Sequence, residues 1–206
     1  MRLAAYQFGV TGEVQHNMEF IGKAAELAAE QNAELVVFPE CAISGYPPRN
    51  IDKAENAEEL SKYFSIPVAY IELDDNIFDD YRSQPLKSYG IVGFVVLKMS
   101  LKVLKETKVT RPENRFFLKE GDTLEDYGFP DIKVIELPGH SRGSIGLVVS
   151  DDALLVGDAL DNWIKPGVGH LYTDIEALKK TAEKIRSYGK RTYYFGHGKP
   201  TEKFLG

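Results

Sequence analysis

The chain has 206 residues, 43% apolar and 27% charged, with 25 basic against 31 acidic side chains and a net charge of −6. That length buries a substantial core, and the acidic balance (pI near 5.3) excludes the clustered basic surface that a nucleic-acid partner requires. A single cysteine excludes an internal disulfide, so the place of the four histidines becomes the main question.

The opening MRLAAYQFGV lacks the pattern of a signal peptide, and the most apolar stretch, Ile91 to Leu104, is broken by Lys98 and Lys102. The expectation is a cytoplasmic protein with no membrane partner. Leu3 to Phe8 reads as a strand. A helix follows from Asn17, a candidate N-cap, with Met18, Ile21, Ala24, Ala25 and Ala28 at helical spacing. Glu34 to Phe38 reads as a second, buried strand, so the first unit is strand, helix, strand with parallel pairing.

Gly45-Tyr-Pro-Pro48 breaks the chain before a helix expected from Ala54 to Phe64 and a strand from Ile66 to Glu72. Residues 73 to 90 are polar and aperiodic, and read as a long surface loop. Ile91 to Lys108 reads as a helix apolar around most of its circumference, either core or the face of a homodimer. Short strands follow at Phe116–Leu118, Thr123–Tyr127, Ile132–Leu137, Ser144–Ser150 and Ala153–Val156. Thr173 and Glu176 suggest a capping box for a helix whose buried stripe is Ile175, Leu178, Ala182 and Ile185, closed by Gly189. Thr192 to Phe195 is the last strand.

Three of these strands end in turns that combine glycine with a metal-ligating side chain. They are Pro138-Gly-His140, Gly157-Asp158 and Gly196-His197-Gly198. If the strands are neighbours, two imidazoles and a carboxylate meet at one sheet edge. That set suits zinc, iron or manganese, and a cation so held activates water for hydrolysis. Any one such residue alone is an ordinary turn residue; the joint pattern carries the argument.

Residues 132–160 (IKVIELPGHSRGSIGLVVSDDALLVGDAL) with FGHG at 195–198 resemble the C-terminal half of the metallo-β-lactamase superfamily, a likeness covering about residues 51–206. The resemblance implies an α/β fold, the αββα sandwich, as one domain, and makes His140, Asp158 and His197 metal ligands. That family's HxHxDH motif is absent. Its nearest match, Pro48 to Lys53, keeps only the aspartate, Asp52, and a protonated Lys53 repels a cation. The expectation is one divalent cation, zinc before iron or manganese, held by Asp52, His140, Asp158 and His197, and no two-metal centre.

Residues 1–50, with RLAAYQF and ELVVFPECAISGYPP, resemble instead the start of a nitrilase, or carbon–nitrogen hydrolase. That likeness makes Glu40 a general base, but the family's lysine and nucleophilic cysteine are missing. The only cysteine, Cys41, adjoins Glu40, and neighbouring strand residues face opposite ways. Residues 1–50 are expected to replace the elements that precede HxHxDH, with a natural or engineered junction near Tyr46 to Asp52. Glu40 or Cys41 then becomes a candidate substitute ligand.

Two functions stay open on this reading. One is a metal-dependent hydrolase acting on a small-molecule ester, thioester, lactone or phosphoester. The other is a degenerate or chimeric domain that keeps the fold, binds no cofactor and catalyses nothing; an amidase fragment is a weaker third. His16 and His170 read as surface or capping residues before helices. Asp161 to Gly167, with the only tryptophan at Trp163, reads as packing or as the border of a substrate pocket.

Overall fold

The computed structural model of the chain describes residues 2–6, 14–38, 61–62, 65, 67–106, 110–163 and 165–202. It opens with β1 (Leu3–Ala5), α1 (Val14–Glu30) and β2 (Leu35–Val37), and the two strands pair in parallel, Leu3 with Leu35 and Ala5 with Val37. The alanines at 24, 25, 28 and 29 favour the helix intrinsically, and Ala24 and Ala28 supply its buried stripe. Asn17 does not cap this helix. It lies a turn inside, fully buried, and His16 is an exposed residue of the first turn rather than a residue before it. The helix expected at Ala54 to Phe64 lies outside the described residues, apart from helical Ser61 and Lys62.

The middle of the chain departs further from the sequence reading. Strand β3 (Val68–Tyr70) runs parallel to β5 (Arg115–Phe117). The expected loop at 73–90 is built instead from two 3₁₀ turns, Glu72–Phe78 and Tyr81–Ser83, and a short strand β4 (Lys87–Ser88). Side-chain hydrogen bonds, not an apolar period, hold it. Gln84 is buried there, donating from Nε2 to Leu73 O and Asp74 Oδ1, both at 2.9 Å.

Helix α2 (Gly90–Glu106) is not a core helix, because Ile91 is 86% exposed and Val92, Phe94, Val95 and Met99 are exposed as well. Its close contact is at Gly93, where a Cβ would stand 3.1 Å from His170 O. Among the described residues no helix is long and apolar enough to cross a membrane.

From residue 123 onward the chain builds one five-stranded sheet, in the order β13-β9-β8-β7-β6. Its members are β6 (Thr123–Leu124), β7 (Phe129–Glu136), β8 (Ile145–Val149), β9 (Ala153–Gly157) and β13 (Thr192–Phe195). The first four are antiparallel, and β13 joins β9 in parallel. Between β9 and β13 lie the hairpin β10 (Leu160–Asp161) with β11 (Gly167–Val168), then β12 (Leu171–Tyr172), paired with β4, and helix α3 (Ile175–Ser187). Thr123–Tyr127 is strand only to Leu124; a 3₁₀ turn takes Glu125 to Tyr127.

Strand alternation sorts the sheet into two faces. On one, Ile135, Leu154, Val156, Tyr193 and Phe195 pack against Leu178, Ala182 and Ile185 of α3, all buried. Each such aliphatic side chain contributes about 1.5–3 kcal/mol. On the other face Ile132, Val149 and Ala153 are buried, and Leu35 of β2 packs against them beside half-buried Leu155 and Tyr194. The order is therefore helix, sheet, second sheet. The cap of α3 is Asp174, one residue beyond the expected Thr173. Its carboxylate accepts from Glu176 N (2.9 Å) and Ala177 N (3.0 Å), while Gly189 closes the other end with left-handed backbone.

Candidate metal centre

Strands β7, β9 and β13 all end at the same edge, and the turns that follow carry His140, Asp158 and His197. The Asp158 and His197 turns are joined by main-chain bonds. Gly196 N donates to Gly157 O at 3.0 Å, and Asn162 N donates to His197 O at 2.9 Å. Gly139 leads into His140 with φ +135°, and a Cβ there would stand 2.5 Å from Leu178 N and Cβ. Only glycine tolerates both that backbone and that approach, so the His140 turn sits directly against α3.

Both imidazoles stand beside the one carboxylate. His140 Nε2 lies 3.8 Å from Asp158 Oδ2, and His197 Nε2 lies 3.8 Å from Asp158 Oδ1. Each imidazole thus addresses its own oxygen of one carboxylate. His140 Nδ1 is 3.0 Å from Leu171 O. A carbonyl only accepts, so Nδ1 is the donor, and the neutral ring so held presents its Nε2 lone pair to the site, the form a metal requires. Asp158 is seated by close contact, since a Cβ on Gly196 would lie 3.0 Å from its Cγ and closer still to Oδ1.

These donors suit a divalent cation chemically, and they fit one in part. Among the described residues no three His, Cys, Asp or Glu side chains close on one point. Each Asp158 oxygen has one imidazole nitrogen 3.8 Å from it, and a metal site needs further ligands. Asp52, Glu40 and Cys41, the sequence candidates for completing it, lie outside the described residues.

The loop after His140 is held by residues the sequence reading passed over. Asp74 accepts from Ser141 Oγ at 2.6 Å and from Gly143 N at 2.7 Å, and Gln84 Oε1 accepts from Arg142 N at 2.7 Å. Ser141 N also donates to Ser144 Oγ at 2.9 Å.

His170, expected to be a surface or capping residue, does structural work beside the site. Its Nδ1 is hydrogen-bonded to the buried carboxylate of Asp161, which also accepts from His170 N at 3.2 Å. Its ring stacks on Tyr89, with centroids 5.2 Å apart, and meets Trp163 at 6.1 Å. Trp163 meets His197 edge-on at 5.7 Å. A cleft of about 520 Å³ opens here, lined by Asn162, Trp163, His197, Gly198 and Lys199. Trp163 both packs against His170 and His197 and lines this cleft.

Comparison with known proteins agrees with this geometry in two parts. The family model for carbon-nitrogen hydrolases matches residues 2–76, which carries that likeness past the junction expected near Tyr46 to Asp52 and takes in Asp52. No curated protein matches the sequence significantly. Among solved structures, TTHA1623 in a di-iron-bound form is similar over 88% of this chain and 79% of its own, at 16% identity and a TM-score of 0.50. The B3 metallo-β-lactamase BLEG-1 is similar over 97% of this chain and 83% of its own, at 15% identity and a TM-score of 0.52. The chain has the mixed α/β architecture of the metallo-β-lactamase fold, and its residues 2–76 are similar in sequence to carbon-nitrogen hydrolases.

Proposed function

We propose that the chain is a metal-dependent hydrolase with a reduced, single-cation site, acting on a small-molecule ester, thioester, lactone or phosphoester. The observation that supports it is the placement of His140 and His197 beside the two oxygens of Asp158, at strand ends along one sheet edge. Asp52 completes the ligand set in this reading. Two imidazoles with carboxylates suit zinc first, and also iron, the metal of the TTHA1623 structure, or manganese.

A bound divalent cation would supply a water of lowered pKa and polarise the scissile carbonyl or phosphoryl group. The chain's own residues do the rest. His140 is held in one tautomer by Leu171 O, Asp158 brings the negative charge that offsets a cation, and Trp163 walls the cleft on the His197 side.

Metal content tests the reading. After zinc or manganese reconstitution the protein should hold about one equivalent, and His140→Ala and Asp158→Ala should each lose most of it. Less than about a tenth of an equivalent in the unmutated protein would sink the proposal and leave a fold without its chemistry.

A further inference from the structure

We propose that the cleft beside His197 recognises a flat aromatic group carrying a negative charge, with Trp163 as the apolar wall and Lys199 as the cation. The proposal deepens the hydrolase reading by naming its substrate class, yet the binding it describes needs no metal.

Three observations carry it. Trp163 is the chain's only tryptophan, is 47% exposed, and lines the cleft with part of that surface. An indole left open in a concave site offers a large, rigid contact for another flat ring. Its ring meets His170, which stacks on Tyr89 and is tied to buried Asp161, and meets His197, so packed rings hold the wall.

Lys199 lines the same cleft, is exposed, and forms no ion pair with a carboxylate among the described residues. Its main chain is fixed, because Asn162 Nδ2 donates to Lys199 O at 2.7 Å. That bond takes one of the two amide N–H groups of Asn162, and the Lys199 ammonium is the permanent charge of the lining. A ring against Trp163 with a carboxylate or phosphate reaching Lys199 satisfies both walls at once. A cationic ligand would meet Lys199 as a like charge, and an aliphatic one would leave the indole without its partner.

Because the protein has one tryptophan, its fluorescence reads this wall alone. The chelator-treated full chain is titrated with 4-nitrobenzoate, a flat quenching acid, beside 4-nitrobenzyl alcohol and acetate. N-acetyltryptophanamide corrects for absorbance. Saturable quenching by 4-nitrobenzoate is expected, weakened about threefold or more by Lys199→Ala and by the neutral alcohol, with acetate ineffective.

Lys199→Gln, which keeps the stem, should weaken binding as Lys199→Ala does. Quenching that stays linear, or that is saturable but indifferent to charge and to Lys199, overturns the proposal. Since no metal is present, failure here leaves the metal-content test standing, and failure of that test leaves this one standing.

Discussion

Gly196 lies against the carboxylate of Asp158 so closely that a Cβ on it would be 3.0 Å from Asp158 Cγ, with Oδ1 nearer still. The glycine thereby sets where the shared carboxylate stands between His140 and His197. Gly196→Ala must push Asp158 aside or shift the strand end. We expect a loss of about 1–3 kcal/mol in urea unfolding, typical of overpacking, together with loss of metal uptake. An alanine variant that keeps both would show that Asp158 does not need this seat.

Asp74 offers a second test of how the His140 turn is held. Its carboxylate accepts from Ser141 Oγ and Gly143 N, and a Cβ on Gly143 would stand 2.6 Å from Asp74 Cγ. Asp74→Ala strands these donors, at a cost of about 1–3 kcal/mol, and loosens the loop that carries His140. Asp74→Asn retains an acceptor and should recover part of the loss. Equal loss in both variants, measured by urea unfolding, would remove the hydrogen bonds from the explanation.

Much of this arrangement was legible in the sequence because each ligand turn follows a β-branched or apolar strand and carries glycine. Those signals are local, so the three turns and their candidate ligands could be read, while their meeting at one edge stayed conditional on a strand order that only the fold supplies. Asp74 and Gln84 could not. They act through side-chain bonds to residues about 60 positions away, and a polar, aperiodic stretch gives no hint of such partners. Asn17 misled for a related reason. Its cap propensity is a local preference, and burial in the helix interior overrode it. Helix α2 was ambiguous in the sequence between core and a homodimer face, and the fold leaves Ile91 and Phe94 exposed, which removes the core reading.

The pH dependence of stability should carry the signature of Tyr70 and Asp75. Tyr70 OH donates to Asp75 Oδ1 at 2.7 Å, and Arg111 Nε donates to the same oxygen at 3.2 Å. Burial first, then the Asp75 bond and charge, pushes the Tyr70 phenol up to about 12. The Tyr70 hydrogen bond, followed by the charges of Arg111 and Arg115, holds Asp75 below the usual carboxylate range.

Tyr70 therefore contributes stability that is complete below its ordinary value near 10 and is lost as pH rises toward 12. Asp75 contributes stability present above its ordinary value and lost as pH falls through its folded one. Tyr70→Phe should flatten the alkaline limb of urea midpoint against pH, and Asp75→Asn should reduce the acid slope. An acid slope unchanged in Asp75→Asn would assign the acid limb to other carboxylates.

The pairing of His170 with Asp161 yields the last prediction. Asp161 is 5% exposed in a two-residue strand, and His170 supplies both its ring and its main-chain donor. His170→Ala leaves that buried carboxylate with the backbone bond alone, costing about 1–3 kcal/mol. It also removes the ring that stands between Tyr89 and Trp163, so water reaches the back of the indole. Trp163 emission should shift to the red in this variant, whereas Asp161→Asn, which retains an acceptor for the His170 ring, should shift it less. His170→Phe separates the two contributions: a ring without the hydrogen bond should keep the emission near that of the parent while losing stability. An emission maximum that is the same in His170→Ala as in the parent would mean that Trp163 owes its position to the cleft side, and that His170 serves Asp161 alone.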